Sequence, residues 1–291
     1  MMCSKPYRKN GAEFGCGQCM PCRLNRRRAW TLRLMLEQSV YKETMIVTLT
    51  YDDEHLESNS LCKTDYRKFL KRLRKHVSPK RIKYFVAGEY GSKTMRPHFH
   101  MALFGLTVNF VGLCMRKKLN SLNLYPTEVK QFTKIWGKGD VHFAESNINY
   151  LSYIASHMAK GITDKRVFEE KGLTPEFLSS SKGLGWRFLE LTVVPWMFTK
   201  EGCKYIAETG DVPHTVRIDN RIWALDRFLK GKLRESVGMP RQAPEQTIYK
   251  YQLKRELNIE RVGDKYLVQK RATDKLKAEQ SARLSKIRRA L

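Results

Sequence analysis

His98 and His100 are separated by one residue in the stretch Arg96-Pro97-His98-Phe99-His100-Met101-Ala102-Leu103-Phe104-Gly105. Pro97 and Gly105 bracket seven residues of strand character. Side chains alternate along a strand, so His98, His100, Ala102 and Phe104 share one face, and Phe99, Met101 and Leu103 the other. Two imidazoles on one face can bind a single metal ion, although an isolated His-x-His is more often a polar pair on a solvated sheet. Glu89 ends the preceding strand. If the two strands form a hairpin around the loop from Tyr90 to Pro97, Glu89 lies near the histidines and points to their side. Two imidazoles and one carboxylate would leave open positions on Mg²⁺ or Mn²⁺, which could polarise a phosphate oxygen. The competing reading makes Glu89 a hairpin-end carboxylate paired with Lys93 or Arg96.

A helix capped by Ser146 and running to Lys160 supplies further chemistry. Leu151, Ile154, Ala155 and Met158 fall on its core side. Tyr150, Tyr153, His157 and Lys160 recur at helical spacing and share a second face. Such a tyrosine stripe commonly caps a core or stacks a base. Beside a metal-bound phosphate, however, a phenol can act as a covalent nucleophile, and a lysine can steady the developing charge.

Four cysteines, Cys3, Cys16, Cys19 and Cys22, crowd the N-terminal end. Four thiolates with Gly15, Gly17 and Pro21 between them could surround Zn²⁺ and fix an arm that has no apolar core. Cys19 serves two short C-x2-C steps, unlike a standard two-knuckle pattern, so free or partly oxidised cysteines remain the alternative. The clustering speaks against a chain-wide disulfide framework and for a cytoplasmic protein. Arg23, Arg26, Arg27 and Arg28 crowd the start of the helix that follows, where they would grip phosphates or simply face solvent.

The elements that must position these groups follow from periodicity. A helix is predicted from Arg23 to about Tyr41 and a strand over Met45–Tyr51. Lys63–Val77 reads as an amphipathic helix with Tyr66, Phe69, Leu70 and Leu73 inward and a basic outer face. Strands follow at Arg81–Glu89 and through the histidines, then a helix over Thr127–Trp136, a strand over Asp140–Ala144 and the tyrosine helix. The order β-α-β-β-α-β predicts an α+β fold, a ferredoxin-like or RRM-like antiparallel sheet with helices on one face and the histidines at the centre of the other, open face. Phe168 to Ser181 has helical character, and residues 182–185 read as a loop. The expected divisions are a Cys-rich basic arm and helix (1–42), the core (43–162), an extension (163–244) and a basic tail, helical or disordered (245–291).

The formal net charge of +26 and pI near 9.9 favour a polyanionic partner, and nucleic acid before membrane, since no long apolar run or signal peptide is present. A packing protein would share that charge, so charge alone does not imply catalysis. No Gly-x4-Gly-Lys-Ser/Thr stretch occurs, so ATP-driven unwinding would need a partner.

Taken together, Cys-Gly-Gln-Cys-Met-Pro-Cys-Arg (16–23), Thr48-Leu49-Thr50-Tyr51, Gly88-Glu89-Tyr90-Gly91, Arg96-Pro97-His98-Phe99-His100 and Tyr153-Ile154-Ala155-Ser156 resemble the HUH endonucleases that initiate rolling-circle replication. The chain is most similar to the replication initiators of gokushovirus-type microviruses, small single-stranded DNA bacteriophages. The resemblance implies that Glu89, His98 and His100 hold Mg²⁺ or Mn²⁺. It implies that Tyr153 attacks the phosphodiester at the viral origin, leaving a 5′-phosphotyrosine and a free 3′-hydroxyl, with Lys160 near the scissile phosphate. Arg23, Arg26, Arg27, Arg28, Lys93 and Arg96 would contact single-stranded and origin DNA, in the cytoplasm of a bacterial host that supplies helicase and polymerase. Such initiators commonly carry Tyr-xxx-Tyr. Here His157 stands at the second position, either as a proton acceptor or as a surface histidine, with Tyr150 as the alternative nucleophile. The rivals are a transposase or relaxase of the same chemistry, a non-catalytic RRM-like binder that would need no metal and never cleave, and a metal-free structural protein.

Overall fold

The computed structural model describes residues 1–9, 12–41, 43–91, 94–106, 127–144, 148–160, 165–263 and 265–290. Contacts divide it into two compact units, residues 34–184 and residues 1–33 with 185–291, and the boundary falls inside helix α1 (Met20–Val40).

The unit of residues 34–184 is built on a five-stranded antiparallel sheet. Strands β3 (Thr44–Thr50), β4 (Lys83–Tyr90), β5 (Pro97–Phe104), β6 (Val141–Ala144) and β7 (Phe177–Ser180) lie in the order β6-β3-β5-β4-β7. The first four in chain order, with helix α2 (Lys63–Val77) crossing from β3 to β4 and α3 (Thr127–Trp136) leading into β6, follow the ferredoxin-like plan predicted from the pattern. Helices α2 and α3 have the bounds that their periodicity predicts.

One sheet face and these two helices share a core. Tyr66, Phe69, Leu70 and Leu73 from α2 meet Leu49, Val86, Phe99, Met101 and Leu103 from the sheet and Phe132 and Trp136 from α3. Aromatic edges order the packing: Trp136 stands nearly perpendicular to Phe69 and Phe99 at 6.1 and 6.0 Å, and its indole N–H donates to the Thr50 carbonyl at 2.9 Å. Phe99 is fully buried, and truncating such a ring to alanine costs about 3–5 kcal/mol. Alternation then obliges its neighbours His98 and His100 to face the other way.

The structure corrects the sequence-based picture at two points. The histidine face is not open. Helix α4 (Ile148–Lys160) lies against β4 and β5 with Leu151, Ile154 and Ala155 fully buried. The second half of α1 also reaches this side, where Glu37, fully buried, pairs with Lys83 of β4 at 2.7 Å. A helix carrying one buried apolar stripe needs a surface to cover, and the apolar residues of the histidine face (Ile46, Phe85, Ala87, Ala102, Phe104) supply it. Secondly, Phe168–Ser181 is not one helix: a short helix α5 (Lys165–Glu170) is followed by the edge strand β7, which pairs with Phe85–Gly88. Four residues are too few to show a period, and only pairing makes them a strand. The Phe177 ring fills the space above Gly88, where a Cβ would lie 2.8 Å from it. The proposed Ser146 cap lies outside the described residues.

In the other unit, a hairpin of β1 (Tyr7–Lys9) and β2 (Ala12–Phe14) stands between Cys3 and Cys16. Helices α6 (Trp186–Met197) and α7 (Lys200–Thr209) precede a hairpin of β8 (Thr215–Ile218) and β9 (Arg221–Ala224), and α8 (Arg227–Ser236) packs on α6. Asp211 and Arg234, both buried, form a two-pronged ion pair at 2.7 Å per contact, and His214 and Thr247 also bond the Asp211 carboxylate. The basic end of the chain is helical, as α9 (Glu245–Val262) and α10 (Lys265–Ala290). Arg271 of α10 pairs with Glu13 at 2.8 Å, and Asp274 accepts from the Met2 backbone N–H at 2.7 Å.

Candidate metal and nucleophile site

Strand pairing puts Glu89 directly opposite His98, and Thr48 and Ala87 on either side of His100. Cross-strand partners share a face, so these side chains gather on the sheet face opposite Phe99. The Glu89 Oε1 lies 3.1 Å from the Nε2 of both His98 and His100. All three ligand atoms fall within 4.8 Å of one another, and the two rings stand nearly perpendicular with centroids 4.9 Å apart. Each residue is mostly shielded from solvent.

The far nitrogens are also anchored. Nδ1 of His98 is 3.2 Å from the Arg96 carbonyl, and Nδ1 of His100 is 2.9 Å from the Thr48 hydroxyl. A carbonyl only accepts, so Nδ1 of His98 carries hydrogen and its Nε2 presents a lone pair towards Glu89. An acceptor on each side of one imidazole calls for a cation between ring and carboxylate. A proton is one such cation: burial opposes charge on His98, but the hydrogen bond and charge of Glu89 outweigh it and raise its pKa above the ordinary imidazole value. A divalent metal is the other. Two imidazoles and a carboxylate, held by these outer partners, therefore fit a metal ion with open positions.

Tyr153 faces the same cluster. Its ring meets that of His100 edge-on at 5.7 Å, and Tyr150 stacks edge-on against Tyr153 at 6.4 Å. His157 and Lys160 continue helix α4, but their side chains lie outside the described residues, as does Lys93. Arg96 is engaged elsewhere: its guanidinium donates to Asp53 at 2.5 Å and to the Tyr51 carbonyl at 3.0 Å, not to Glu89. Arg26 and Arg28 are exposed on α1, while Arg23 and Arg27 are half-buried. The motifs give neither the Thr48 hydroxyl nor the Arg96 carbonyl a role beside the histidines. Thr48 stands in a conspicuous Thr-x-Thr, but only register shows which histidine it touches.

In the other unit the four cysteine sulfurs also lie within 4.8 Å of one another. Cys3 and Cys19 Sγ are 3.6 Å apart, and no disulfide joins any cysteine of this cluster. Backbone N–H groups of Cys16 and Cys19 point at Cys3 and Cys16 sulfur at 3.2 and 3.3 Å. Burial pushes the Cys22 thiol up to about 12. Cys19, although burial opposes its charge, is drawn down to about 6 by hydrogen bonds from Ser4 and the Cys22 backbone. Crowded sulfurs thus give up a first proton readily and hold the last. Four convergent soft donors with backbone N–H support fit a tetrahedral thiolate metal site.

The fold and site together define a ferredoxin-like α+β core with a two-histidine, one-carboxylate cluster beside a tyrosine helix. Residues 44–162, which span this core, match the family of Replication-associated protein ORF2. The chain is 35% identical over 185 residues to Replication-associated protein ORF2 of Spiroplasma virus 4, covering 60% of this chain and 56% of that one. It is 33% identical over 166 residues to Replication-associated protein VP4 of Bdellovibrio phage phiMH2K, covering 54% and 52%. With Replication-associated protein ORF4 of Chlamydia phage 1 it shares 30% identity over 154 residues, 50% and 37% of the two chains. The likeness to microvirus-type replication initiators read from the motifs is thereby borne out. The chain spans about half the length of the first two relatives. No solved structure matches it.

Proposed function

We propose that this chain initiates rolling-circle replication of a single-stranded phage genome by nicking and rejoining DNA at the origin through Tyr153. The observation that carries this reading is the Tyr153 ring set edge-on to His100, within the cluster that Glu89 and His98 complete. Glu89, His98 and His100 would hold the cation, and mixed nitrogen and oxygen donors suit Mn²⁺ better than Mg²⁺, which prefers an all-oxygen shell. When bound, the ion would withdraw charge from a non-bridging phosphate oxygen.

The Tyr153 phenol oxygen attacks phosphorus as its proton passes to a base. A tyrosyl ester forms to the 5′-phosphate, the bond to the 3′ oxygen breaks, and that oxygen takes up a proton as a 3′-hydroxyl. One phosphate ester replaces another, so a later hydroxyl can reverse the step and reseal the strand without an external energy source. His157, one turn beyond Tyr153, is in sequence range to accept the phenol proton. Lys160 would face the phosphate. Arg23, Arg26, Arg27, Arg28, Lys93 and Arg96 would contact the DNA backbone, although Arg96 would first have to leave Asp53. Zinc would occupy the cysteine cluster. Host helicase and polymerase would act on the nicked product in the bacterial cytoplasm.

Incubation with circular single-stranded DNA and Mn²⁺ should give a covalent protein–DNA adduct. Tyr153→Phe should abolish it, and Tyr150→Phe should leave it. Binding without any adduct, or peptide mapping that finds the DNA on Tyr150, would overturn the respective assignment.

A further inference from the structure

We infer that the outer face of α2 is a second nucleic-acid surface, gripping the phosphate backbone of duplex DNA on the side of the sheet away from the histidines. Helix α2 carries seven lysines and arginines against one acidic residue, Asp65. Asp65 is turned inward, accepting a bond from the Tyr51 hydroxyl at 2.8 Å and lying 3.6 Å from Lys138, so it neutralises nothing outside. Arg67, Lys68, Lys71 and Lys75 are exposed and form no ion pair among the described residues. Arg67, Lys71 and Lys75 follow one another at four-residue steps, about 6 Å apart along the axis. A merely solvated face usually mixes charge signs, whereas a face of one sign repels itself until a polyanion covers it.

The surface is rigidly mounted. Four apolar side chains of α2 are buried against the sheet, and Arg72 donates to the carbonyls of Ile135 and Trp136 at 2.6 and 2.7 Å. That joins α2 to α3, whose exposed Lys130 and Lys134 extend the cationic area. Because α2 covers the Phe99 face, with the Tyr66 ring 5.8 Å from that of Phe99, a strand held at the histidine cluster lies across the sheet from it. The duplex is the occupant favoured. Single-strand surfaces combine cations with exposed aromatic rings for stacking, and the aromatic residues of α2, Tyr66 and Phe69, are both buried inward.

The test compares the full-length wild type with K68Q/K71Q/K75Q, using a random-sequence 20-base-pair duplex and an oligo(dT) of equal length. The variant should bind the duplex about tenfold more weakly at low salt. Its plot of log K against log[salt] should be shallower by about 2.7, three lost phosphate contacts at about 0.9 each. Oligo(dT) affinity and adduct yield on single-stranded DNA should stay within twofold. A control, K200Q/K275Q/K277Q, removes the same charge from exposed lysines elsewhere and should retain duplex binding. Unchanged duplex binding, equal loss for oligo(dT), or an equal loss in the control would each overturn the inference. The adduct assay on wild type reports separately on the nicking reaction.

Discussion

Thr48 holds His100 by the ring nitrogen that the cluster does not use, at 2.9 Å. Such outer partners set the tautomer and aim of a metal-binding imidazole, and losing one commonly lowers metal affinity 10–100-fold. Thr48→Val keeps the shape and strand preference of the side chain but removes the hydroxyl. The expected outcome is Mn²⁺ affinity reduced by about 10–100-fold in calorimetry, with adduct formation recovered at high Mn²⁺ and the melting temperature little changed. Wild-type Mn²⁺ affinity in this variant would remove Thr48 from the site. His98→Ala or His100→Ala should instead eliminate the adduct at any Mn²⁺ concentration while DNA affinity persists, because phosphate contacts from lysine and arginine carry binding. A fully active double alanine variant would refute the metal assignment.

Among the elements, the segment joining α7, the β8–β9 hairpin and α9 depends on one buried charge network. Burial opposes charge on Asp211, but hydrogen bonds from Arg234 and His214 outweigh it and hold its pKa well below the usual carboxylate range. A depressed carboxylate contributes stability that is complete above its unfolded pKa, about 3.9, and is lost as pH falls from there through the folded value. Asp211→Asn leaves Arg234 charged and uncompensated, at a cost of about 3–5 kcal/mol at neutral pH. The stability gap between wild type and variant, read from urea unfolding, should be constant from pH 8 to 5 and narrow below about 4. A gap that widens in acid would contradict the network.

At the scale of the whole molecule, the cysteine cluster and the net charge of +26 set the behaviour of the purified protein. Apart from Pro21, no described residue before Leu24 is buried, so metal binding at the cysteines would be folding energy. Chelator-free protein should carry about one zinc per chain, and Cys19→Ser should lose the zinc and melt at a lower temperature. Elemental analysis that finds no zinc would reject the site. Thiol titration of the metal-free protein should then find all four sulfurs reduced.

The sequence alone determined what depends on local period and residue type. Alternation around His98-Phe99-His100 placed both imidazoles on one face, and the 3.6-residue period drew α2 and α3 at their true bounds. The Cys-x2-Cys steps announced a cluster of sulfurs. Tertiary structure alone decided what depends on partners distant in the chain. Register put Glu89 opposite His98 rather than beside Arg96, because hydrogen-bond pairing across a hairpin fixes which residues meet, and sequence spacing does not. It made Phe177–Ser180 a strand, since four residues acquire that identity only from the edge they complete. It also laid α4 over the histidine face. An amphipathic helix advertises that it will bury one side, but the surface that receives it, and so the neighbour of Tyr153, exists only once the sheet has formed.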